Sequence, residues 1–174
     1  MRNLVKNKNQ ITYFHLNFEF EICPLMAVLD WKLLCYQLNK ISSLHQIELQ
    51  AFVMMTTHSH LLFKSYAQKE NYFTENLFTN LKVKTDSSSL TEPIKNKTQY
   101  LNTYKYIYRN PVEAGLSINC EKYPYSSLNA LLGYSTNHLN IIDPLNVTQN
   151  PFKILNWINQ TNQSKLFQAS SVFI

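Results

Sequence analysis

The apolar positions of this chain fall into short stretches that change character along its length. Ile11 to Phe20, Ile-Thr-Tyr-Phe-His-Leu-Asn-Phe-Glu-Phe, is aromatic and β-branched and predicts a first strand. From Pro24 to about Ile41, Leu25, Val28, Leu29, Leu33, Cys35 and Leu38 fit one amphipathic helix, with a break expected at Ser42-Ser43. Ile47 to Met55 is again β-branched and apolar, and Leu61-Leu62-Phe63 continues it, so one or two buried strands are expected around His58 and His60. A helix is expected near Phe73 to Leu81, and the Ser-rich stretch Lys82 to Ile94 reads as a loop. Thr98 to Arg109 reads as a helix, capped by Thr98 and stopped by Pro111. Ser126 to Leu132 predicts a short helix ended by Gly133, and Pro151 to Gln160 a last amphipathic one. Beyond Thr161 only Val172-Phe173-Ile174 has ordered character. The sum is an α+β domain, an antiparallel sheet with helices packed on one face, of ferredoxin-like or palm type.

The periods of these elements bring chemistry together. Side chains two apart on a strand share a face, so His58 and His60 aim the same way and Ser59 the other. Tyr106 and Asn110 are one helical turn apart and share a face of their helix. If that face covers the histidine strand, two imidazole nitrogens and an amide oxygen converge on one divalent ion beside a phenol. A phenol is a weak nucleophile at neutral pH and needs nearby positive charge or a base to act as one. Each motif alone has a plainer meaning. His-x-His more often marks two ordinary histidines, Asn110-Pro111 is an ordinary helix stop, and Tyr100, Tyr104 and Tyr108 suit packing. The combination carries the weight. His15 lies outside the constellation; from the first strand it could neighbour the site, but a packed or exposed histidine is the plainer reading.

Composition narrows the partners. A length of 174 residues bounds a single domain, and 45% apolar content is ample for a core. A net charge of +5 suits a polyanion, and Lys64, Lys105 and Arg109, with tyrosines interleaved among the other cations, are candidate contacts to phosphates and unpaired bases. Cys23, Cys35 and Cys120 show neither a disulfide framework nor zinc-knuckle spacing. No apolar run approaches the roughly 18 residues of a membrane span, and no signal segment follows Met1. A cytoplasmic protein with reduced thiols is expected.

One segment is more specific than all of this. Lys105-Tyr106-Ile107-Tyr108-Arg109-Asn110-Pro111-Val112-Glu113-Ala114-Gly115-Leu116, followed by Tyr123-Pro124-Tyr125-Ser126-Ser127-Leu128, resembles the signature block of the single-tyrosine HUH transposases. It is most similar to the branch associated with repetitive extragenic palindromes, the REP-associated tyrosine transposases. Ala51 to Phe63 resembles that family's histidine-hydrophobic-histidine strand, and the resemblance spans about residues 10 to 135, with 136–174 as a helical extension. It implies Tyr106 as the nucleophile, His58, His60 and Asn110 as ligands of Mg²⁺ or Mn²⁺, and single-stranded or hairpin DNA as the partner. The implied reaction is strand cleavage and transfer through a 5′-phosphotyrosine. Monomer and homodimer are both compatible with it.

Three departures qualify the resemblance. Ser59 stands where the family has a hydrophobic residue, and Thr56-Thr57 replaces its usual lead-in. Lys82 to Ile94 lacks the arginine and tryptophan of the corresponding family strand. A hairpin-binding descendant that no longer cuts, and a nuclease in which metal-bound water replaces Tyr106, are therefore kept as alternatives.

Overall fold

In the computed structural model, which describes residues 11–20, 31–66, 69–82, 90–134 and 139–160, the order of the first six elements sets the architecture. They are β1 (Ile11–Glu19), α1 (Trp31–His45), β2 (Glu48–Met54), β3 (His58–Tyr66), α2 (Glu70–Leu81) and β4 (Leu90–Ile94). The sheet order is β2-β3-β1-β4 with every neighbour antiparallel, the split βαβ arrangement of ferredoxin-like folds. Three further α-helices follow, α3 (Lys97–Glu113), α4 (Ser127–Leu131) and α5 (Pro151–Asn159), with a 3-10 turn at Cys120–Lys122 between the first two.

Alternation along β1 and β3 divides the interior in two. Phe14, Leu16 and Phe18 of β1 and Leu61 and Phe63 of β3 share one apolar cluster with Leu34 and Leu38 of α1 and Phe73 and Leu77 of α2. Leu62 belongs to a second cluster, with Leu101, Tyr104, Ile107 and Tyr108 of α3 and Ile154, Trp157 and Ile158 of α5. The sheet is therefore covered on both faces, which corrects the expectation of helices on one face only. Both sides of its central strands carry groups that must leave water, and one layer of helices cannot cover both.

Other boundaries shift for local reasons. The 82–94 segment is not wholly a loop: Leu90–Ile94 forms the edge strand β4, with Pro93 opposite Phe14, while 83–89 lie outside the described residues. An edge position tolerates a residue that cannot donate to the ladder. The helix expected to break at Ser42-Ser43 runs on to His45, because Ser42 is buried with its hydroxyl donating 3.0 Å to the Asn39 carbonyl. Its expected start, Pro24 to Asp30, and the Val172-Phe173-Ile174 segment lie outside the described residues. Helix α3 is capped by Asn96 rather than Thr98; the Asn96 side chain accepts 2.9 Å from the Gln99 amide. Pro111 sits inside α3 rather than stopping it. Without an N–H it forfeits one helical bond, and the end is closed beyond it by Ala114 N–H donating to Asn110 and Leu116 N–H to Pro111. Gly115, at φ +70, makes the left-handed turn there, and Gly133 at φ +72 follows α4 in the same way.

Candidate active site

Register decides which side chains meet on the α3 side of the sheet. Asn17 lies opposite His60 and Glu19 opposite His58 in the β1–β3 ladder, so Glu19, Asn17, His15, His58 and His60 all point to that face. Helix α3 lies over it, burying Leu101, Tyr104, Ile107 and Tyr108. Tyr106 emerges at the margin of this contact. Its ring is 44% exposed and stands edge-on to His60, with centroids 5.3 Å apart, and to His15 at 6.1 Å. His58 and His60 are themselves 4.8 Å apart, ring to ring.

Each histidine nitrogen with a protein partner can be assigned. Nδ1 of His58 is 2.9 Å from the Thr57 hydroxyl, which leaves Nε2 as its other donor atom. Nδ1 of His60 is 3.1 Å from Nε2 of His15, and the two rings stack at 5.3 Å. Nε2 of His60 is buried without a hydrogen-bond partner, and so is Oδ1 of Asn17, its ladder neighbour. Buried polar atoms without partners are costly, and two in adjacent ladder positions are what a ligand would satisfy. Burial, reinforced by the neighbouring His15 and His58, pushes the His60 pKa down to about 3. Burial lowers His15 and His58 as well, opposed by the charges of Glu92 and Glu19 respectively. All three are held toward the neutral form, the form in which imidazole binds a cation.

The fit to a divalent ion follows from these atoms. Among the described residues no three His, Cys, Asp or Glu side chains are arranged to hold a metal, and His15 has its Nε2 engaged with His60. The available set is the imidazole pair with amide oxygens, and open positions would fall to water or substrate. Asn110 stands one turn after Tyr106, and its amide nitrogen donates 3.0 Å to the Tyr106 carbonyl, leaving the side-chain oxygen as acceptor. Hard oxygens with two nitrogens suit Mg²⁺ or Mn²⁺.

The predicted site residues thus separate. His58, His60 and Tyr106 come together, with Asn110 tied to the same helix. The three candidate DNA contacts each have partners within the protein. Arg109 is only 7% exposed, and its guanidinium donates to the carbonyls of Asn159 and Gln160 at the end of α5 and pairs with Glu113 at 3.0 Å. It is a clamp between helices, not a free phosphate contact. A sequence shows a cation but not whether a helix C-terminus will claim it. Lys64 pairs with Glu48 at 3.1 Å and lies over the Tyr66 ring, and Lys105 stands 5.8 Å over Trp157. His15, for which the sequence favoured a packed or exposed role over a place beside the site, stands next to His60. Its signal was present in the two-residue spacing to Asn17, but only the β1–β3 register reveals that this face meets His60. A groove beside Tyr106 is lined by His15, Glu92, Asn96, Thr98, Gln99, Asn102 and Thr103, with no lysine or arginine among them.

A solved structure of a REP-associated tyrosine transposase bound to a REP hairpin superposes on this chain with a TM-score of 0.58, covering 97% of this chain and 96% of that one. The two proteins share a fold. At 15% sequence identity the likeness is one of architecture. No family model and no curated protein matches the sequence. No helix of the described residues is long and apolar enough to cross a membrane.

Proposed function

We propose that this chain is a tyrosine transposase of the REP-associated type, which cleaves and rejoins single-stranded or hairpin DNA through Tyr106. The observation that carries the reading is the exposed Tyr106 ring standing 5.3 Å from His60, whose buried Nε2 has no partner. Support also comes from the fold shared with a transposase solved on a DNA hairpin.

In this reading His58 and His60 would hold Mg²⁺ or Mn²⁺ through their Nε2 atoms, with the Asn110 amide oxygen, and the ion would supply charge neutralisation at the scissile phosphate. The buried Tyr104, Ile107 and Tyr108 anchor helix α3 to the sheet and so set where the Tyr106 side chain leaves the backbone. The Tyr106 phenol oxygen attacks phosphorus and loses its proton. The bond from phosphorus to the 3′ oxygen breaks, and the leaving oxygen takes up a proton to become a 3′-hydroxyl. The 5′-phosphate stays on Tyr106, which conserves the bond energy for attack by another 3′-hydroxyl and needs no nucleotide cofactor.

A second reading is hairpin binding without cleavage. It is favoured by the 82–94 segment, which carries neither the arginine nor the tryptophan of the corresponding strand in the family it resembles.

The deciding experiment incubates purified protein with Mn²⁺ and labelled palindromic single strands from the DNA flanking its gene, followed by denaturing electrophoresis. A covalent adduct that disappears in Tyr106→Phe is expected. Binding without an adduct supports the second reading, and cleavage that survives Tyr106→Phe supports attack by water.

A further inference from the structure

Beside the expected ligands stands a third imidazole that neither the nucleophile nor the ligand set uses. His15 reaches His60 diagonally across β1 and β3, because its own ladder partner is Leu62 while Asn17 faces His60. The two rings are nearly parallel, at 25°, and the contact is between His15 Nε2 and His60 Nδ1 at 3.1 Å. On its other side His15 faces Glu92 across the β1–β4 ladder, and the Glu92 charge acts on it. Glu92, His15 and His60 thus form a line across three neighbouring strands, ending at the unpartnered Nε2 of His60.

A neutral imidazole carries one proton, on one of its two nitrogens. If His60 carried it on Nε2, a buried N–H would have no acceptor, and Nδ1 would have to accept from His15. With the proton on Nδ1, His60 donates to His15 Nε2, and its Nε2 lone pair is the atom left bare. A neutral His15 whose Nε2 accepts then carries its own proton on Nδ1. Ligating histidines generally donate their second N–H to a fixed partner, which sets both tautomer and ring orientation.

We propose that His15 is a positioning residue for His60, its Nε2 accepting the hydrogen bond from His60 Nδ1–H so that the His60 Nε2 lone pair is presented to the cation. This rests on the reading that His58 and His60 hold a divalent ion. His15 itself touches neither cation nor substrate in this scheme. It acts through the His60 ring, from the strand beside the histidine motif.

The test is Mn²⁺ binding by the full chain without DNA, read from the paramagnetic resonance signal of free Mn²⁺. His15→Leu keeps bulk but has no acceptor, and it is expected to weaken binding by about 10- to 100-fold. His15→Gln retains an acceptor oxygen and is expected to restore most of that loss. Equal affinity of His15→Leu and the unaltered protein overturns the proposal, and so does equal weakness of His15→Leu and His15→Gln, which would mark a packing role. Mn²⁺ binding that survives both His58→Ala and His60→Ala, or no binding by the unaltered protein, removes the underlying reading and the proposal with it. Nitrogen-15 shifts of the imidazoles in the unaltered, metal-free protein check the tautomer even if a variant fails to fold. Nδ1–H on His60 is expected, and Nε2–H overturns the proposal.

Discussion

Tyr106 and Tyr108 leave one helix two residues apart and end in opposite environments. Tyr106 is 44% exposed beside His60, while Tyr108 is 1% exposed with its hydroxyl 2.9 Å from that of Ser127. Burial raises the Tyr108 pKa, so its phenol is held protonated where no substrate reaches it. Removal of the Tyr106 hydroxyl should abolish the covalent DNA adduct and change unfolding free energy by less than about 0.5 kcal/mol. Tyr108→Phe should do the reverse, retaining the adduct and costing about 1 kcal/mol through the lost hydrogen bond. Adduct gels and denaturant titrations of the two variants check this, and an adduct that depends on Tyr108 would transfer the nucleophile role.

Arg109 presents a different balance. Its guanidinium satisfies carbonyls at the C-terminal end of α5, where positive charge also complements the helix dipole. Arg109→Met leaves those acceptors buried and should cost about 1–3 kcal/mol. Because the side chain is not offered to phosphates, the dependence of DNA affinity on salt should keep the slope of the unaltered protein. A shallower slope with unchanged stability would return Arg109 to the DNA surface.

The acid limb of stability should be dominated by the imidazole cluster. His60 has its pKa pushed down to about 3 in the folded chain, against about 6.5 when unfolded. Between these values the unfolded chain binds more protons than the folded one, so stability rises with pH in that window. It is fully present above about pH 6.5 and is lost as pH falls toward 3, by up to about 1.4 kcal/mol per unit for one proton. The lowered pKa values of His15 and His58 act in the same direction. Thermal denaturation of metal-free protein from pH 7 to 4 measures the slope. His60→Leu should flatten it, and an unchanged slope would assign the acid sensitivity elsewhere.

How much of this was legible depends on the range of the interaction. The two-residue spacing of His58 and His60 and the one-turn spacing of Tyr106 and Asn110 are local, and a strand and a helix formed where the pattern placed them, although α3 begins at Lys97 and runs past Pro111 to Glu113. What the pattern could not show was pairing. His15 stands beside His60 only through the β1–β3 register, and the Arg109 guanidinium is engaged by α5 carbonyls because α5 folds back onto α3. The strand at Leu90–Ile94 was hidden for the same reason. Its residues have weak strand character, and its ladder with β1 supplies what local preference does not.

Ser59 tests the one departure inside the histidine motif. It lies opposite Phe18 in the ladder, fully buried, and its hydroxyl has no hydrogen-bond partner. A buried, unsatisfied hydroxyl costs about 1–3 kcal/mol. Ser59→Ala removes it without adding volume, and Ser59→Val adds methyl groups beside Phe18 at the risk of overpacking. Ser59→Ala should therefore raise unfolding free energy by about 1 kcal/mol. The side chain points to the α1 and α2 side of the sheet, away from Tyr106, so Mn²⁺ affinity and adduct formation should stay as they are. A loss of stability in Ser59→Ala would show that the hydroxyl has a partner, a buried water being the simplest, and that serine is a supported feature of this strand.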